Sequence, residues 1–249
     1  MNDSGSLKFD RLKQHLEKSV SARREVEFAF SALLAAANPS DRGLRFLFGN
    51  GAEWILACAA WSAGILTAPA GHNANGFDLA DLLHEARGMW SVKASASATT
   101  SQIRLVNFMG DGRNATWTDP TVFIAPYIHG AVFIDPTQDP DVQNAAHKIG
   151  DALTLAGGVV KKYAVNHPHH HISFQIQANT GATTHDPYAF IKSILDPGHF
   201  PLLSAPFAAA EPATNNTLVD ELQQLNDLKN IGALNDKQYK SAVDHVLSM

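Results

Sequence analysis

Residues 76–97 read GFDLADLLHEARGMWSVKASAS, and the reading of this stretch decides the fold. It opens near an acid, Asp78, and closes on a short β-prone run, Met89-Trp90-Ser91-Val92-Lys93, with one lysine among apolar neighbours. Arg87-Gly88 separates two short β-prone segments, the pattern of a hairpin. A turn centred on Ala86 and Arg87 sets Asp78 opposite Ser95. Side chains on a strand alternate faces, so Asp78, Ser91, Lys93 and Ser95 then share one face. A carboxylate and a lysine on one sheet face are the minimum set for metal-assisted phosphodiester cleavage. A one-residue slip sends Asp78 to the other face, so the expectation depends on register.

Upstream, residues 7–37 read as one helix, with Leu7, Leu12, Leu16, Val20, Phe28, Phe30, Leu33 and Leu34 at roughly helical spacing. Its charged face is either solvated or, through Lys13, Lys18, Arg23 and Arg24, a contact for nucleic-acid phosphates. Asn38-Pro39-Ser40-Asp41 is a stop, and Gly43–Asn50 is a Phe-rich connector ending in a Gly49-Asn50-Gly51 turn. Residues 52–63 are Ala-rich and apolar all round, which predicts a buried helix. Glu53 stands alone at its N-terminal end. It either complements the helix dipole or projects a carboxylate into a site. Gly64–Ala70 reads as a strand and Gly71–Gly76 as a loop.

Downstream, Ser101–Phe108, Thr121–Pro126 and Ala131–Asp135 are predicted strands, the last two joined by Tyr127-Ile128-His129-Gly130. Asp139–Lys162 is Ala- and Leu-rich and is predicted helical, with Gly157-Gly158 a weak point. Ile172–Gln177 alternates as a strand does, and Tyr188–Leu195 reads as a further helix. The division expected is an α/β domain over 1–205, with a mixed central sheet flanked by helices, a linker over 206–217, and a helical module over 218–249. In that module Leu218, Leu222, Leu225 and Leu228 line one helix, and Gly232 ends it. Asn235 then caps a second helix bearing Tyr239, Val243 and Leu247. Two such helices bury no core alone and need a partner, most simply another copy.

Composition bounds the function. Apolar residues make up 45% and charged residues 17% of the 249, which is globular. No apolar run reaches the roughly 18 residues of a membrane span, and Met1-Asn2-Asp3-Ser4 has no signal-peptide shape, so a cytoplasmic location is expected. The single cysteine, Cys58, excludes an intrachain disulfide and a Cys-rich zinc site; its alanine neighbours predict a buried, inert thiol. A net charge of −5 argues against a protein that coats nucleic acid, but does not exclude a nuclease, whose acidic metal site lowers the net charge while basic residues cluster elsewhere.

Two resemblances follow from these residues. The tail resembles the short C-terminal domain called SHOCT through Leu222, Leu225, Leu228, Gly232, Leu234, Asp236 and Tyr239. It departs at Asn235, where threonine is usual, and at Lys237, where an acid is common. That resemblance implies homo-oligomerisation through 218–249. The order Glu53 on a helix, Asp78, then Ser91-Val92-Lys93 resembles the PD-(D/E)xK restriction-endonuclease-like superfamily over residues 45–135. Ser91 replaces the usual acid, and no proline precedes Asp78. Glu53 is the candidate to supply the missing carboxylate, ahead of Asp81, Glu85 and Asp111.

The resemblance implies Mg²⁺, with Mn²⁺ as a substitute, held by Asp78, Glu53 and the Val92 carbonyl. Lys93 then orients or deprotonates the attacking water, and Ser91 completes the set. Arg87, Arg104 and Arg113 are candidate phosphate contacts. The substrate implied is DNA, with RNA open, in restriction or phage defence. The plain alternatives are that Asp78 caps a turn and Lys93 pairs at a sheet edge. A competing metal site is His167-Pro168-His169-His170-His171, of which a strand lets only His169 and His171 chelate together. No HExxH, Walker or GxSxG pattern is present. The function expected is metal-dependent DNA hydrolysis; the alternative is a non-enzymatic scaffold that assembles through its tail.

Overall fold

In the computed structural model the described residues are 3–36, 42–69, 78–83, 88–107, 116–176, 225, 226, 229 and 235–247. Three helices come first: α1 (Leu7–Lys18), α2 (Val20–Ala36) and α3 (Arg42–Ser62). The expected single helix over 7–37 breaks at Ser19, whose hydroxyl accepts the Ala22 N–H at 3.2 Å. A serine side chain competes for backbone donors and so favours a cap over a helix interior. Conversely, α3 runs unbroken through Gly49-Asn50-Gly51 instead of turning there. Burial of Ala52, Ile55, Leu56, Ala59 and Ala60 against the core overrides the local cost of the glycines. Glu53 therefore lies mid-helix, which removes the reading as a first-turn dipole partner.

The described strands form two sheets. Six strands run in the order β1 (Thr67–Pro69), β2 (Leu79–Asp81), β3 (Gly88–Ala94), β5 (Thr121–Ala125), β6 (Gly130–Ile134) and β9 (His171–Ser173). Only β3 and β5 are parallel; every other pair in this sheet is antiparallel. The connection between them passes through β4 (Gln102–Asn107), which belongs to a second sheet with β8 (Ala152–Ala156) and β7 (His147–Ile149). Short helices α4 (Pro140–Asn144) and α5 (Gly157–Asn166) complete the body, and α6 (Asp236–Leu247) lies in the tail.

The central strands separate two cores. Leu79, Trp90, Val92, Val122, Ile124, Ala131 and Phe133 face α1–α3. Phe123, Ala125, Val132 and Ile134 face the second sheet and α5. Burial on both faces explains why TVFIA and GAVFI are continuous apolar runs and not alternating ones. The expected mixed α/β architecture is present, but the sheet carries its helical layer on one face and a smaller sheet with α5 on the other.

The helix expected over Asp139–Lys162 is replaced by α4, the β7–β8 hairpin and α5. Gly150 takes φ +60° between the two strands, a conformation open to glycine, and Leu153 and Leu155 are buried in the second core. Packing against β4 selects strand over the weak helical propensity of ALTLA. The helix expected over 188–195 and the 206–217 linker lie outside the described residues. In the tail, Lys229 pairs with Asp236 at 3.0 Å and sits 4.7 Å over the Tyr239 ring. Among the described residues no helix is long and apolar enough to cross a membrane.

Candidate active site

The hairpin forms, in a different register from the expected one. Leu79 pairs with Trp90, and the Asp78 N–H donates to the Trp90 carbonyl at 3.1 Å. Asp78 thus stands across from Ser91 and not Ser95. The offset is even, so the face is conserved: Asp78, Ser91 and Lys93 remain together. A bulge between Leu79 and Ala80 then shifts the pairing to Gly88. The expected turn at Ala86 and Arg87 lies outside the described residues.

Strand alternation explains how Asp78 is held. The N–H groups of Ser91 and Ser95 go to the β5 side, bonding Pro120 O at 2.8 Å and Ile124 O at 2.9 Å. Trp90 and Val92 present their main-chain groups to the β2 side. Main-chain pairing on this side ends with the Asp78 N–H on the Trp90 carbonyl, and the Asp78 side chain continues the ladder to Val92. Its Oδ2 accepts from the Val92 N–H at 2.6 Å, the Ser91 hydroxyl at 2.9 Å and Lys93 Nζ at 3.2 Å. Ser91 is buried, while Lys93 and Asp78 are 22% and 28% exposed, so the pair is reachable from solvent. Ser91 acts as a donor that fixes the carboxylate. Alternation also turns the Val92 carbonyl to the same edge.

Glu53 lies on α3, which packs on β1 and β3, and feels the charges of Asp78 and Lys93. Its carboxyl is pushed up to about 7, above all by partial burial, with the Asp78 charge adding to the rise and Lys93 opposing it. A carboxylate with this linkage makes the fold less stable as pH rises. The unfolded chain ionises first, so stability is complete below the ordinary carboxylate range and is lost progressively up to pH about 7. Glu53→Gln removes the penalty. In chelator at pH above 7 the variant is expected to be more stable by about 1–2 kcal/mol, the full shift being discounted for partial exposure. Thermal melts of both proteins at acid and alkaline pH check this; a gap that does not narrow in acid contradicts it.

A fourth charged group, Asp119, was not among the residues singled out from sequence. Partial burial raises its carboxyl above the ordinary range, Lys93 opposes that, and Asp78 adds to it. Its main-chain carbonyl accepts from Trp117 Nε1 at 3.0 Å and the Thr121 hydroxyl at 2.7 Å, which fixes the corner before β5. An aspartate before proline reads as an ordinary turn former, and so the sequence carries no separate signal for it.

The remaining candidates fall elsewhere. Asp81 is on the opposite, helix-facing side, buried, paired with Lys8 and accepting the Leu83 N–H at 3.1 Å. Arg104 is exposed on β4 and lies 3.9 Å from Asp151. Arg87, Arg113, Glu85 and Asp111 lie outside the described residues. Lys13, a candidate phosphate contact, pairs with Glu17 at 2.6 Å and donates to the carbonyls of Pro168 and His171 at 3.2 and 2.6 Å. An open cleft of about 730 Å³ lined by Arg11, His15, Lys18 and Ser19 includes none of the Asp78 cluster. The Cys58 thiol is buried and pushed up to about 12, as its neighbours lead one to expect.

The histidine run leads into a strand through a tight turn. Pro168–His170 forms a 3-10 turn, and only His171 begins β9. His167 stacks on Tyr163 at 4.2 Å between centroids, His169 meets His170 edge-on at 4.5 Å, and His170 Nδ1 lies 3.0 Å from Phe133 O. Burial, above all, holds His170 below its usual range. These contacts give the rings a packing role.

No family model matches the chain, and no curated protein and no solved structure is significantly similar to it. Among the described residues no group of three or more His, Cys, Asp or Glu side chains is placed to hold a metal ion. Mg²⁺ does not require such a cage, since one or two carboxylates with waters and substrate oxygens suffice. Asp78 and its neighbouring carboxyls are hard oxygen donors of the right type. Oδ2 is saturated, and Oδ1 receives no hydrogen bond from the described residues.

Proposed function

We propose that the chain is a metal-dependent nuclease of the restriction-endonuclease-like type, acting on DNA phosphodiester bonds. The observation that carries this reading is the Asp78–Lys93 contact at 3.2 Å on paired strands; the charges of both also act on Glu53 of the preceding helix. Asp78 Oδ1 and Glu53 are the groups to hold Mg²⁺, with the Val92 carbonyl at the same edge. When bound, the ion supplies charge neutralisation at phosphorus and a more acidic water. Lys93 has one proton-bearing nitrogen available to orient water or steady a phosphoryl oxygen. Ser91 and the Val92 N–H keep the Asp78 carboxylate from rotating. The test is incubation of the purified protein with supercoiled plasmid, single-stranded DNA and RNA, with and without Mg²⁺ or Mn²⁺. Folded protein that cuts none of them overturns the reading.

A second reading has its own support. An aspartate oxygen that takes three donors also suffices to end a strand, and the Lys229–Asp236 and Lys229–Tyr239 contacts tie the tail together. On that reading the protein is a scaffold assembled through 218–249. Under both readings the tail drives homo-oligomerisation. Deleting 218–249 is expected to lower the mass measured by light scattering; an unchanged mass refutes the tail's role.

A further inference from the structure

We infer that the N-terminus of α5 is a binding site for a phosphate group, with the buried Tyr127 hydroxyl as a donor beneath it. The inference is independent of the nuclease reading and uses none of the hairpin residues. It begins from an uncapped helix. α5 (Gly157–Asn166) follows directly on β8, and its N-cap is Ala156, whose methyl group cannot accept from the first turn. The Gly157 N–H goes to Ser101 O at 2.8 Å. No cap side chain serves the N–H groups of Gly158 and Val159 that come next. Gly158 is exposed, and a Cβ there would meet nothing within 4 Å, so the fold leaves the helix uncovered at that residue. The aligned peptides of a 10-residue helix place partial positive charge at this end, a setting that favours an anion.

A second, independent observation points to a ligand. Tyr127, in the 3-10 turn that follows β5, is 4% exposed, and its hydroxyl is a buried polar atom with no hydrogen-bond partner. A buried hydroxyl without a partner is unfavourable, and a phenylalanine would fill the same apolar space. The hydroxyl is turned to the first residue of α5: a Cβ on Gly157 would lie 2.8 Å from it and 2.6 Å from Ser101 O. Glycine at 157 therefore lets the hydroxyl come up against the start of the helix. Burial pushes the Tyr127 hydroxyl up to about 12, which keeps its proton on the oxygen as a donor to an anion. A cation stands one turn further on. Lys162 is exposed and follows Gly158 by four residues. Helical side chains lean toward the N-terminus, so its stem lies over a residue that has no side chain of its own. Two glycines are unfavourable inside a helix, but at its start they leave room for a bound group.

The experiment titrates full-length protein by calorimetry with inorganic phosphate, with adenosine monophosphate, and with a short single-stranded DNA bearing hydroxyls at both ends. Wild type is expected to bind at least one of them saturably. Ala156→Asp sets a carboxylate on the uncapped donors. It is expected to weaken that binding about tenfold or more while raising the melting temperature by about 2–4 °C, the gain from a good N-cap. Tyr127→Phe removes a hydroxyl that holds nothing in the folded chain, and is expected to weaken binding about tenfold with melting unchanged or higher. Lys162→Ala is expected to weaken it about two- to fivefold, and Lys237→Ala, exposed on α6, to leave it unchanged. Binding confined to phosphate and the mononucleotide assigns the site to small phosphorylated compounds. DNA binding that Ala156→Asp weakens assigns it to the phosphates of a nucleic-acid chain. Either source supports the inference. Wild type that binds none of the three overturns it, as does binding within about twofold of wild type in either Ala156→Asp or Tyr127→Phe.

Discussion

Lys93→Ala and Asp78→Ala are each expected to lower metal-dependent cutting by about 10²–10⁴-fold, the range for a positioned proton-transfer group. The two residues meet at 3.2 Å, and neither has a substitute among the described residues that does the same work. Glu53 and Asp119 are carboxylates and cannot replace an ammonium, and Lys8 is engaged with Asp81 on the other face of the sheet. The effect on stability is smaller. The pair is partly exposed, and its loss falls between the surface and buried limits, at about 1–3 kcal/mol. Wild-type melting with activity abolished, or a modest drop in melting with activity abolished, both fit. Variants that still cut at the wild-type rate contradict the assignment.

The second large effect is on the fold. Trp90→Ala is expected to cost about 3–5 kcal/mol, against a total stability of about 5–15 kcal/mol for an ordinary domain. Trp90 is 2% exposed and meets Phe9 at 6.1 Å and Phe133 at 6.4 Å, both edge-on. It joins α1 to β3 and β6, and its carbonyl accepts the Asp78 N–H. Removing the indole opens a cavity under the strand that carries Ser91 and Lys93. A melting temperature lower by roughly 6–20 °C is expected, and a loss under about 2 °C contradicts this packing. The order of the two results is informative: Trp90→Ala destabilises strongly, while Lys93→Ala disables with little unfolding.

Much of the site was legible in the chain because a sheet has a period of two. Asp78, Ser91 and Lys93 share a face in any register of the correct parity, so the expected grouping held although Asp78 pairs across from Ser91 and not Ser95. The apolar runs 121–125 and 130–134 announced buried strands for the same reason. Propensity was a poorer guide where packing decides. ALTLA became a strand beside β4, and Gly49-Asn50-Gly51 stayed helical because buried residues on α3 fix the helix. Glu53 was visible as a lone acid in an apolar segment, but its neighbours in space depend on how α3 lies on β3. Asp119 was invisible, because its link to Lys93 passes through the parallel β3–β5 pair. A connection through a second sheet leaves no local pattern.

The measurement that bears most directly on the central claim is a time course of supercoiled plasmid with wild type and Lys93→Ala side by side, each in Mg²⁺ and in chelator. Nicking or linearisation by wild type in Mg²⁺ alone, absent from Lys93→Ala and from both chelator lanes, is the expected result. Equal cutting by the two proteins, or no cutting by folded wild type, contradicts the claim that the Asp78–Lys93 pair is a phosphodiester-cleaving site.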